Sequence, residues 1–230
     1  MNVNSFFTAF FELLYPNTCA CCHQLLKSPK SCVCMACQFS LPKSQILDLN
    51  DNFIHQRFWG RIPVEQAFCQ YKFQKKGKLQ LLMHQLKYER NELVGYFFGR
   101  QLAITLQQDE QFICPDIIIP IPLHKEKERK RGYNQSLLIA KGIESILKIP
   151  IVDDAVIRVH HSDSQTKKKR YERWENVGEI FQLSNASFIK NQHVLLIDDI
   201  VTTGATLEAC AQTLLQVKGT RISIATVAYA

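Results

Sequence analysis

No apolar stretch in these 230 residues reaches the roughly 18–20 that a bilayer-spanning helix needs. The nearest approach, Phe6–Leu14, is interrupted by Glu12 and has no basic segment before it, so it does not read as a signal peptide. Phe6, Phe10, Leu13 and Leu14 instead share one face of a short helix docked on the body. No G-x-G-x-x-G follows any strand-like run, which argues against a dinucleotide site. Internal repeats and low-complexity tracts are lacking too. With no secretion signal, the expected location is the cytoplasm, a reducing compartment.

Apolar residues make up 46% of the chain, enough for one α/β domain and a small appendage. Six of the nine cysteines crowd between Cys19 and Cys37. In a reducing compartment such clusters bind metal more often than they form disulfides. Cys19-x-x-Cys22 and Cys34-x-x-Cys37 have the spacing of two knuckles whose four thiolates converge on zinc. Cys21 and Cys32 are spare, His23 competes as a ligand, and Cys32 is an alternative to Cys34. Four protein ligands leave no open coordination position, so the zinc is expected to be structural. Residues 1–45 are expected to form this zinc-ribbon module and residues 46–230 the α/β domain. So small a module lacks a sufficient apolar core, and the metal is expected to carry its folding.

The net charge is +7, and two short segments, Lys125–Arg131 and Lys167–Glu175, supply six of those seven charges. Basic loops attract polyanions such as diphosphate or nucleic acid. Strand-like and helix-like runs then alternate. Gln66–Phe73 reads as a strand, and Lys78–Leu106 as a helical region broken near Asn91. Asp116–Pro122 reads as a buried strand, Asn134–Leu147 as a helix and Ile149–Val152 as a short strand. Phe181 and Leu183 are expected to return the chain to the sheet. Val194–Ile197 is the central strand, Ala205–Val217 a helix and Ile222–Val227 the closing strand. This alternation predicts a mostly parallel sheet flanked by helices, with ligands at the carboxyl ends of its strands.

The most informative string is His193–Leu207, HVLLIDDIVTTGATL. A buried strand ends at two adjacent acids, Asp198 and Asp199. A turn of Thr202, Thr203, Gly204, Ala205 and Thr206 leads into a helix. The helix start offers unpaired N–H groups to a phosphate, Gly204 permits close approach, and the acids can accept from two sugar hydroxyls. The motif resembles the 5-phosphoribosyl-1-diphosphate (PRPP) site of type I phosphoribosyltransferases. That resemblance implies that Asp198 and Asp199 hold the ribose hydroxyls while Thr202–Thr206 wraps the 5′-phosphate.

Taken with the cysteine knuckles, further strings make the chain similar to the ComF/GntX group of phosphoribosyltransferase-like proteins, many tied to DNA uptake in competent bacteria. These strings are Leu86-Lys87-Tyr88, Pro120-Ile-Pro-Leu-His124, Arg131-Gly-Tyr-Asn-Gln135, and Gln165-Thr166 with Arg170, Arg173 and Asn176. The resemblance implies a type I phosphoribosyltransferase-like fold with PRPP as ligand. A nucleophile would displace diphosphate at the anomeric carbon, and magnesium would travel with the substrate's phosphates. Lys87, Arg131 and Lys167–Arg173 are candidate diphosphate contacts. His124 is a candidate hydrogen-bond donor or acid, or a structural imidazole. Ser162–Asn176 has the composition of a lid. Two further functions are compatible with the same residues: a non-catalytic PRPP sensor, and a single-stranded DNA-handling factor working with DNA-uptake proteins. In the latter, Tyr133, Tyr171 and Trp174 would supply base stacking.

Overall fold

The computed structural model describes residues 16–46, 48–159 and 180–230. The expected helix over Phe6–Leu14, His160, His161 and the expected lid Ser162–Asn176 with its cations and aromatics lie outside the described residues.

Four parallel strands form the central sheet: β1 (Ala67–Lys72), β2 (Ile117–Pro120), β5 (His193–Val201) and β6 (Arg221–Tyr229), in the order β1-β6-β5-β2. Their side chains alternate between two cores, as period-two geometry requires. Ile118, Leu195, Ile197 and Ala225 face one core with helices α2 (Lys78–Tyr88), α3 (Glu92–Gln107) and α5 (Gln135–Leu147). Ile117, Ile119, Val194, Leu196, Ile222 and Ile224 face the other with α6 (Ala205–Leu215). Both faces are therefore covered, which explains the near-continuous apolar runs of the strands.

Both sheet edges are blunted. Lys43 bridges Tyr71 beside β1, and Ile151 bridges Ile118 beside β2. The strand expected over Ile149–Val152 is thus one bridge long. The helical region after Lys78 does break at Asn91, between α2 and α3.

Three expectations are corrected. The central strand does not stop at Ile197: β5 continues past both acids to Val201, because its ladder with β6 extends to the Val201–Tyr229 pair. Phe181 and Leu183 do not rejoin the main sheet. They form β4 (Phe181–Leu183), an antiparallel partner of β3 (Val156–Arg158) in a separate two-stranded sheet. The basic segment after His124 is not a loop but the helix α4 (Lys125–Arg131). Its acids Glu126 and Glu128 lie in the first turn and Arg129, Lys130 and Arg131 in the last, the arrangement that the helix dipole favours.

Helix α5, which comes after β2, and helix α6, which comes after β5, pack on opposite faces of the sheet. Between these two strands lies the switch point where α/β sheets open a crevice at their carboxyl ends. The close approach of α3 and α5 sets how deep α5 sits. A Cβ on Gly99 would run into the backbone carbonyl of Ile139, and one on Gly142 would lie 2.5 Å from Tyr96 O. A Cβ on Gly95 would lie 2.6 Å from the Cβ of Leu138. Gly99→Ala must therefore push the helices apart. It is expected to lower unfolding free energy by about 2–3 kcal/mol, read from the urea midpoint at unchanged m-value.

Candidate functional site

Asp198 and Asp199 sit on consecutive residues of β5 at the crevice. Oδ1 of Asp198 accepts from Ser136 Oγ at 3.1 Å and from the Asp199 backbone N–H at 2.9 Å. Lys87, in the last turn of α2, reaches Oδ2 of Asp199 at 2.7 Å, with 22% and 14% of the two side chains exposed. Burial first, and then the neighbouring Asp199 charge, push the Asp198 carboxyl up to about 7; the Asp199 N–H, Lys87 and the Ser136 hydroxyl act against them.

The turn that follows has the predicted form. Gly204 adopts φ +82° at the N-cap of α6, and the Thr203 hydroxyl accepts from Ala205 N–H at 3.4 Å. A Cβ at Gly204 would come within 3.0 Å of the Phe58 ring, so glycine is needed both for its backbone angle and for space. Thr202 and Thr203 are exposed. Asp198 and residues 200–207 line a shallow cup that opens to solvent. The Asp198 carboxyl on one side and a helix start with threonine hydroxyls on the other give it the polarity for a hydroxylated anion. Beneath it, Phe58 packs from the 3₁₀ turn His55–Phe58, and Arg61 pairs with Glu208 of α6 at 2.8 Å.

Two of the quoted strings prove to be halves of one lock. In the first, Leu86 O accepts from Tyr133 OH at 2.6 Å, Lys87 pairs with Asp199, and the Tyr88 ring lies 5.7 Å below the Arg131 guanidinium. In the second, Arg131 Nη1 donates to Gln135 Oε1 at 2.7 Å, and Gly132 ends α4 at φ +90°. Asn134 caps α5 by accepting from Ser136 N at 3.0 Å, and its Nδ2 donates to Ile121 O at 3.0 Å, just past β2. Lys87, Asp198 and Asp199 thus meet directly. Arg131 is held one residue further along α2, against Tyr88. His124 sits just past β2 and caps α4, its Nδ1 accepting from Glu126 N at 3.4 Å.

Sequence reasoning missed Ser136 and Phe58. The Asn134-x-Ser136 pattern at a helix start signals a cap, but nothing local shows that the serine hydroxyl reaches β5. Arg158 was also missed; it lies over the Phe181 ring at 5.4 Å and its charge acts on Asp198.

The Sγ atoms of Cys19, Cys22, Cys34 and Cys37 all lie within 4.8 Å of one another. Cys21 and Cys32 are not in that group. A tetrahedral metal with bonds of about 2.3 Å separates its sulfurs by about 3.8 Å, and Cys22 and Cys34 are 3.7 Å apart. The first knuckle is pinned by a Thr18–Leu25 bridge, and the second opens α1 (Met35–Phe39) with Cys34 as its cap. Burial, then the thiols of Cys22, Cys34 and Cys19, push Cys37 up to about 12. Burial also opposes ionisation of Cys19, yet N–H donors from Cys34, Cys21 and Cys22 bring it down to about 6. A bound cation relieves that repulsion, so the donor set fits a thiolate-bound metal. The module also leans on the body: Cys19, Cys32 and Cys37 belong to the core that holds Leu79, Leu82 and Leu86.

Because Asp198 is protonated more readily when folded than when unfolded, its contribution to stability is complete below pH ~4 and is lost as pH rises through about 7. Asp198→Asn keeps the acceptor and removes the titration. It is expected to raise the melting temperature by about 4 °C at pH 8, and by less than half as much at pH 5, in paired calorimetric scans.

Residues 134–230 match the family model described as Phosphoribosyl transferase domain. Competence protein F of Haemophilus influenzae is 29% identical over 140 residues, which cover 59% of this chain and 61% of that protein. Competence protein ComFC of Bacillus subtilis is 38% identical over 115 residues, covering 49% and 44% respectively. The matched stretch thus spans about three fifths or less of these relatives' length. Among solved structures, the glutamine phosphoribosylpyrophosphate amidotransferase from B. subtilis is a distant likeness: 16% identity and a TM-score of 0.44, over 63% of this chain and 30% of that one. No described helix is long and apolar enough to cross a membrane. Residues 134–230 thus match a phosphoribosyl transferase domain, and over about half to three fifths of its length the chain is similar to the competence proteins F and ComFC.

Proposed function

We propose that this chain binds PRPP at the carboxyl end of β5 and is a phosphoribosyltransferase-like protein linked to DNA uptake. The observation that supports the reading is the cup itself, which puts the Asp198 carboxyl and a glycine-opened helix start around one space, with Asp199 the next residue along β5. In this reading Asp198 and Asp199 accept from the ribose hydroxyls. Thr202, Thr203, Gly204, Ala205 and Thr206 cradle the 5′-phosphate with hydroxyls and backbone N–H groups. Lys87, 2.7 Å from Asp199, is close enough to turn from the acid to the diphosphate. In the same reading Arg131, held against Tyr88, serves as a second cation, and His124, past the β2 end, as a proton donor. Magnesium supplies charge neutralisation to the diphosphate when PRPP brings it. The link to DNA uptake rests on the names of the relatives, and single-stranded DNA as a further partner on the cations of α4, of which Lys125, Arg129 and Lys130 are exposed.

Residues 1–45 are proposed as a zinc-ribbon module with zinc held by Cys19, Cys22, Cys34 and Cys37, and residues 46–230 as the α/β domain. The metal is structural in this reading, because four thiolates close its coordination. Elemental analysis is expected to find about one zinc per chain, and Cys22→Ser to lower it. Content that stays the same in the variant would point to other ligands.

For the main reading, the double replacement Asp198→Asn, Asp199→Asn is expected to weaken PRPP binding by about 100-fold or more in titration calorimetry with magnesium, with unchanged circular dichroism. Binding at wild-type strength removes the site assignment. Diphosphate release on mixing with PRPP and nucleobases, amines or single-stranded DNA marks a transferase. Binding without release marks a sensor.

A further inference from the structure

We propose that Ser136 is a positioning residue of the sugar-binding pair: its hydroxyl holds Asp198 so that each acid keeps one oxygen for the ligand. The proposal rests on the PRPP reading above. Oδ1 of Asp198 is engaged twice, by Ser136 Oγ at 3.1 Å and by the Asp199 N–H at 2.9 Å. Oδ2 of Asp199 is engaged by Lys87 at 2.7 Å. Among the described residues, no donor is seen on the second oxygen of either acid. One oxygen from each acid is what two neighbouring hydroxyls require, since each brings one proton to donate.

The serine is itself held from the other side of the crevice. Its backbone N–H is accepted by Asn134 Oδ1 at 3.0 Å, and Asn134 Nδ2 donates to Ile121 O at 3.0 Å. Asn134 and Ser136 thus refer the Asp198 carboxylate to the end of β2, four residues past which His124 caps α4. Only 5% of Ser136 is exposed, so water does not easily replace its hydroxyl.

Asp198 is faced by charged or titratable groups from several elements. Asp199 stands beside it on β5, Lys87 comes from α2, Arg158 from β3 and Cys210 from α6. Ser136, from α5, adds a neutral donor that favours the ionised carboxylate. Removing that donor leaves the other groups in place and shifts the balance toward the protonated acid, which has lost an acceptor for a sugar hydroxyl. A defect from this cause is largest near neutral pH and fades once the carboxylate is ionised in either protein.

The test compares wild type, Ser136→Ala and Ser136→Thr. The Asp198 carboxyl is followed by ¹³C NMR in the ligand-free protein, its signal identified by its loss in Asp198→Asn. In parallel, PRPP affinity with magnesium is measured between pH 6 and 9. For Ser136→Ala the titration midpoint is expected to rise by about one unit. Its PRPP affinity is expected to fall roughly 5–10-fold at pH 7 and to return within about twofold of wild type at pH 9. Ser136→Thr, which keeps the hydroxyl, is expected to follow wild type in both readouts. A midpoint unmoved in the alanine variant, an affinity loss equal at every pH, or a threonine variant that behaves like alanine overturns the proposal. A wild type that binds no PRPP at any pH overturns the PRPP reading instead, and the ligand-free titration still decides whether Ser136 governs Asp198.

Discussion

Two carboxylates on consecutive residues at the end of a buried strand repel each other, and the low polarity around them strengthens the repulsion. Much of the site follows from holding that pair in place. Lys87 neutralises Asp199, and Ser136 and a backbone N–H satisfy Asp198. The acidity of Asp198 stays weakened even so. The proposed binding role fits this character, because binding sites commonly give up local stability to keep polar groups available.

Holding the pair needs the end of α2 and the start of α5 to arrive at the same place. The glycines of the α3–α5 crossing let α5 sit deep enough for its first turn to bridge β2 and β5. On the other side, α2 is buttressed by the cysteine module. Gln85 donates to Ala20 O at 2.9 Å, and Lys78 to Ser40 Oγ at 2.8 Å. The helix that rests on the four-thiol cluster is the helix whose last turn carries Lys87. The module therefore need not touch a ligand to matter to the crevice.

Much of this was legible in the chain. Buried parallel strands are continuous apolar runs, so β2, β5 and β6 stood out, although their ends did not. The twin acids and the glycine-opened turn are local: their geometry is set by the residues that form them. The four converging cysteines were also readable, since two C-x-x-C knuckles dictate their own convergence. The strand beyond Asp198, the β3–β4 pair and α4 were misread for one reason. Each is decided by a partner: the β6 ladder, an antiparallel neighbour and an N-cap, none of which alters local apolar periodicity.

By itself, then, the sequence determined the kind of site: acids, turn and helix start are contiguous, and so are each knuckle's ligands. Only the tertiary structure decided which distant side chains complete it. Ser136 meets Asp198 across 62 positions, and Tyr133 meets Leu86 across 47. Such pairings depend on how α2 and α5 lie on the sheet, and a helix's resting place is set by packing over its whole length rather than by the residues at its tip.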